Sequence, residues 1–139
     1  MDVAHVIQSA LAPVFLISGV GVMLGVLTNR LARIVDRARV WEAEAEKEAR
    51  RAADLEERLQ VLARRARYIS SAITMCAISA LLVALVVVAL FANAFLSVQL
   101  SALIAILFVA AMLALTAAFL MFLIEVRIAT AALRIGQPR

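Results

Sequence analysis

Residues 69–92 have the sequence ISSAITMCAISALLVALVVVALFA, an apolar run without a charged side chain. A bilayer core about 30 Å thick needs roughly 20 helical residues, so this run is long enough to cross a membrane once. Residues 6–27 and 100–124 form two further runs of the same kind. The chain of 139 residues is 65% hydrophobic, well above the share expected of a water-soluble domain. The sequence therefore predicts an all-α membrane protein with three transmembrane helices.

The basic residues lie on one side of these runs. Eleven of the 14 lie between the first two runs and three follow the last: Arg30, Arg33, Arg37, Arg39, Lys47, Arg50, Arg51, Arg58, Arg64, Arg65, Arg67, Arg127, Arg134 and Arg139. Asp2, His5 and the uncharged residues 93–99 lie on the other side. Because lysine and arginine remain on the cytoplasmic side of short loops, we expect an outside amino terminus and a cytoplasmic carboxyl terminus. The net charge of +4 then favours contact with anionic lipid headgroups, and not with nucleic acid.

Residues 28–68 separate the first two runs and are rich in charge. They contain no glycine or proline, and their alanine, glutamate, arginine and leucine favour helix. Apolar residues recur every seven positions in two series, which is typical of coiled-coil packing. The predicted seam consists of Leu31, Ile34, Ala38, Trp41, Leu55, Leu59 and Leu62.

Both ends of this segment must reach the same membrane face, so the chain must turn back. We expect the turn near residues 48–54, with Asp54 and Glu57 as a capping box that opens the next helix. The prediction is a cytoplasmic antiparallel hairpin over residues 28–68. Residues 1–27 then contain the first transmembrane helix, and residues 69–139 contain the other two with a short cytoplasmic tail.

The order NRLARIVDRAR over residues 29–39, directly after the first run, is distinctive. Together with HVIQ at residues 5–8, APV at residues 12–14 and RRAR at residues 64–67, it resembles a bacterial family of small membrane proteins, domain of unknown function 2721. The resemblance covers most of the chain. It implies the three-span layout and a multi-pass inner (cytoplasmic) membrane protein, but no activity and no functional residues.

Small residues form a stripe on the first predicted transmembrane helix. Ser18, Gly21, Gly25 and Thr28 lie three and four positions apart and therefore share one face. Such a stripe favours close packing against another helix, and the alternative is the lining of a pore. In the second run the hydroxyl groups, including that of Ser79, are expected to bond carbonyls of their own helix.

Glu125 is the only acidic residue in or near the third run. We predict an interfacial polar cluster of Asn29, Arg30, Glu125 and Arg127, in which Arg30 or Arg127 and the Asn29 amide bind the carboxylate. The cluster is interpreted as an ion pair that holds the helix ends. A charged selectivity ring in an oligomer is the alternative.

Catalytic, cofactor-binding and metal-binding patterns do not emerge from the sequence: it offers no nucleophile beside a base, no ligand spacing and no glycine-rich phosphate loop. We therefore expect a protein that is not an enzyme, with no cofactor. The first hypothesis is a homo-oligomeric small channel or pore. The alternative is a membrane scaffold or regulatory protein that binds itself or an unidentified cytoplasmic protein through the hairpin.

Overall fold

The computed structural model describes residues 2–48 and 52–135, which form three helices. These are α1 (Val3–Lys47), α2 (Ala52–Phe95) and α3 (Ser101–Ile135). Each contains a stretch that is long and apolar enough to cross a membrane. The prediction of an all-α protein with three such helices is confirmed, and the charged segment before the second run is continuous with it in α2.

The predicted turn falls largely on residues 49–51, which lie outside the described residues. Asp54 lies inside the first turn of α2, where its carboxylate is 3.7 Å from the Arg58 guanidinium. A capping box would place the aspartate just before the helix. That detail of the prediction is therefore wrong, because α2 begins at Ala52.

The buried residues follow a seven-residue spacing in all three helices. They include Val6, Pro13, Val20, Leu27 and Ile34 in α1, Leu55, Leu62, Ile69, Cys76 and Val83 in α2, and Ala111, Ala118 and Glu125 in α3. A spacing of 3.5 residues per turn keeps one face of each helix on its neighbour. The repeat seen in the charged segment thus continues through the apolar runs.

The α2 helix lies between the other two and packs against both. Arg58 of α2 contacts Trp41 of α1, and Leu62 lies beside Ile34, so the two helices are antiparallel. Ala72 and Cys76 of α2 and Ala118 of α3 are fully buried in the shared core. These small side chains allow the helix backbones to approach closely.

Much of the apolar surface faces outward. Phe15, Val22, Leu81, Ile106 and Leu113 each expose more than 60% of their surface. Water-soluble monomers rarely show contiguous apolar surface on this scale, whereas lipid tails solvate it well. The exterior therefore agrees with the apolar lengths of the helices in indicating a multi-pass membrane protein.

Candidate functional site around Glu125

Glu125 is the one fully buried acidic side chain among the described residues. It lies on the seven-residue row of α3 that also carries Ala111 and Ala118. Arg30 of α1 donates from Nε and Nη2 to Glu125 Oε2 at 2.9 and 2.6 Å. Arg65 of α2 donates from Nε to Oε1 at 3.0 Å. One carboxylate thus joins all three helices.

The two arginines offset the cost of burying this charge. An isolated carboxylate away from water is strongly unfavourable, whereas charge-assisted hydrogen bonds to guanidinium groups are among the strongest in proteins. The side chains of Arg30 and Arg65 are 33% and 15% exposed, so both remain partly accessible from outside the helix contacts. The cluster is the main link between α1 and α3, which otherwise contact each other little.

The predicted polar cluster is only partly assembled around this carboxylate. Arg30 and Glu125 meet, but Asn29 and Arg127 are exposed and neither binds Glu125. Arg65 takes the place that Arg127 was expected to fill. The signal was available, because Arg65 lies three residues after Leu62 and four before Ile69 and so adjoins the buried face of α2.

A cavity of about 180 Å³ opens beside the cluster, between α1 and α2. Its lining consists of Arg30, Arg33, Ile34, Arg37, Leu62 and Arg65. Arg33 and Arg37 are exposed, and neither forms an ion pair with any residue that the structure describes. The cavity therefore combines an apolar floor with an excess of positive charge.

The model of the family described as "Protein of unknown function (DUF2721)" matches residues 10–135. The chain belongs to this family. The matched range includes the whole Glu125 cluster and the cavity beside it. No curated protein and no solved structure matches the chain. Family membership accordingly supplies no activity for the site.

The small-residue stripe of this DUF2721 protein faces away from the core. Ser18, Gly21, Gly25 and Thr28 are all exposed, and a Cβ atom added at either glycine would meet nothing within 4 Å. The Ser18 hydroxyl donates to the Val14 carbonyl at 3.3 Å, and the Thr28 hydroxyl donates to that of Leu24. The stripe is thus open to contact from outside the chain.

Ser79 bonds a neighbouring helix, and not its own as predicted. Its hydroxyl is fully buried and donates to the Ala111 carbonyl of α3 at 2.9 Å. Thr74 and Thr116 do bond carbonyls of their own helices. The difference arises because Ser79 lies on the face of α2 that packs on α3, where an interhelical acceptor is within reach.

The predicted seam residues divide into two groups by burial. Ile34, Leu55 and Leu62 are buried, whereas Leu31, Ala38, Trp41 and Leu59 are partly exposed. The Arg58 guanidinium lies 5.8 Å from the centre of the Trp41 ring, which is within the range of a cation–π contact. The series of Ile34, Leu55 and Leu62 therefore fills the contact between α1 and α2, except at Trp41, which belongs to it but is partly exposed. The series of Leu31, Ala38 and Leu59 lies at the edge of the contact.

Proposed function

We propose that this DUF2721 protein is a non-catalytic, homo-oligomeric protein of the inner membrane whose copies contact each other through the stripe Ser18, Gly21, Gly25 and Thr28. The supporting observation is that these small residues share one face of α1 and that this face is exposed. Without a hydrophobic driving force between helices in lipid, association depends on close backbone contact, which small residues permit. A second copy is the simplest partner for such a face.

The first role we propose for the oligomer is a small channel. Three helices in this arrangement are too few to enclose a path, so the path would run along the axis between copies. The Ser18 and Thr28 hydroxyl oxygens keep lone pairs after donating to their own helix. Those oxygens would line the axis from the middle of the span, at Ser18, to one of its ends, at Thr28.

The alternative role is a scaffold that binds itself or an unidentified cytoplasmic protein through the polar parts of α1 and α2. The partly exposed series of the repeat, which includes Leu31, Ala38 and Leu59, favours this role. A row of half-buried apolar residues at the edge of a two-helix contact can receive another helix. In this proposal residues 28–68 form a cytoplasmic antiparallel hairpin, with the amino terminus of the protein outside.

The oligomer and its axis are tested by Gly21→Leu and Gly25→Leu, separately and combined. Because both glycines are exposed and a Cβ atom added at either would meet nothing within 4 Å, we expect leucine there to disturb a contact with another molecule and not the packing within the chain. We expect the oligomer, measured by light scattering in detergent and by cross-linking in liposomes, to dissociate. Gly19→Leu is the matched control, since Gly19 is equally open but lies off the stripe.

The two roles separate when ion flux into liposomes is measured on the same samples. Wild-type flux with dissociation of the leucine variants supports a channel whose packing depends on the stripe. An intact oligomer with blocked flux places the stripe on the axis. Absence of wild-type flux rejects the channel and leaves the scaffold. A wild-type protein that is monomeric in lipid refutes the whole proposal.

A further inference from the structure

The cavity between α1 and α2 is lined by four arginines and by no acidic residue among those described. Arg30, Arg33 and Arg37 come from one face of α1, at spacings of three and four residues, and Arg65 faces them from α2. Glu125 is the one carboxylate that binds any of them among the described residues. Four guanidinium groups against one carboxylate leave an excess of three positive charges around about 180 Å³.

Glu125 also sets which nitrogen atoms remain available. It accepts from Nε and Nη2 of Arg30 and from Nε of Arg65. The Nη1 group of Arg30 and both Nη groups of Arg65 have no acceptor among the described residues. The guanidinium of Arg30 is further held over the Phe122 ring, 5.4 Å from its centre. Two of the four arginines are therefore fixed in direction before any ligand arrives.

We propose that this cavity is a binding site for a phosphoryl anion, held by Arg30, Arg33, Arg37 and Arg65. A guanidinium group presents planar, paired N–H donors that match two phosphate oxygens, which a lysine cannot do. All four basic groups in the cavity are arginines. The bound anion would relieve the repulsion among them, so the site is most stable when occupied.

The depth of the cavity favours a phospholipid headgroup as the source of the anion. Arg30 lies three residues after Leu27, the end of the first apolar run. At about 1.5 Å per residue, Arg30 lies about 5 Å beyond Leu27, within the headgroup layer, which is roughly 5–8 Å thick on each side of the core. Arg37 lies about 10 Å farther out, and its long side chain points back along α1 towards that layer. The apolar floor of Ile34 and Leu62 suits the glycerol end of a lipid. This site does not depend on the proposed self-association.

The test uses the 139-residue chain and its single tryptophan. Trp41 lies one helical turn beyond Arg37, so energy transfer from Trp41 to dansyl-labelled phosphatidylglycerol in phosphatidylcholine nanodiscs reports occupancy. We expect Arg33→Gln with Arg37→Gln to weaken binding about tenfold or more, since each removes charge-assisted hydrogen bonds. Arg33→Lys with Arg37→Lys keeps the charge and should lie between the glutamine variant and wild type.

The matched control is Arg39→Gln with Arg127→Gln, which removes the same charge from two exposed arginines outside the cavity. We expect its affinity to stay within about twofold of wild type, as general attraction to an anionic surface is nearly unchanged. Displacement of the labelled lipid by unlabelled phosphatidylglycerol but not by millimolar inorganic phosphate identifies a headgroup site. Displacement by both identifies a site for free phosphate as well. Equal weakening in the cavity and control variants, or no saturable transfer, overturns the proposal.

Discussion

Removal of the Glu125 carboxylate is the sharpest test of how the three helices are joined. Glu125→Ala deletes three charge-assisted hydrogen bonds, two from Arg30 and one from Arg65, and leaves both arginines without their shared acceptor. Removing one partner of a buried ion pair costs about 3–5 kcal/mol. Since both arginines keep part of their exposure and can turn towards water, we expect about 3 kcal/mol, the lower end of that range. Glu125→Gln keeps one acceptor oxygen and should cost less.

The free energy of unfolding is measured by titrating detergent micelles with sodium dodecyl sulfate while following Trp41 fluorescence. The control is Arg127→Gln, which changes one charge on the same helix at an exposed residue and should leave the midpoint unchanged. A double-mutant cycle between Glu125→Gln and Arg65→Gln isolates the pair, and we expect a coupling of about 1–3 kcal/mol. Additive effects in the cycle, or a Glu125→Ala midpoint equal to that of the control, would refute the three-helix link.

Two further predictions concern the contact between α1 and α2 and the orientation. Leu62→Ala should lower the free energy of unfolding by about 2–5 kcal/mol, because it leaves a cavity at a residue that is 97% buried. The control Val61→Ala, at a residue 38% exposed, should lower it much less. Similar losses in the two variants would contradict the assignment of Leu62 to the buried face of α2. Cysteine at Gln99 should react with an impermeant maleimide from outside, and cysteine at Glu46 only after the membrane is opened. Native Cys76 is fully buried and should remain unlabelled in both, while reversed labelling would invert the proposed topology.

The three helices followed directly from the sequence. Charge and apolar length vary sharply along the chain, and the cost of placing a charge in lipid makes each apolar run a local signal. The contrast between apolar and charged residues in residues 28–68 likewise revealed a seven-residue repeat, and one of its two series, including Ile34, Leu55 and Leu62, is the buried one. In such segments the buried face can be inferred without knowledge of the neighbours.

Within the apolar runs there is no contrast between apolar and charged residues to mark the buried face. Val20 and Val22 are chemically identical, yet Val20 is 1% exposed and Val22 is 71% exposed. The same lack of contrast concealed the outward direction of the Gly21 and Gly25 face and the bond from Ser79 to α3. Which side of a uniformly apolar helix lies inward depends on the shapes and polar groups of the helices beside it.

Which residues form the Glu125 cluster was likewise decided by the packing of the helices. Arg65 and Arg127 are both basic residues adjoining apolar runs. From the sequence alone, Arg127 was the expected partner because it lies only two residues from Glu125. Tertiary packing places Arg65 beside the buried row of α2 and leaves Arg127 on the exposed side of α3. Spacing along the sequence determines which residues share a helix face. The partners of a buried charge are determined by which helices pack against it, here α1 and α2.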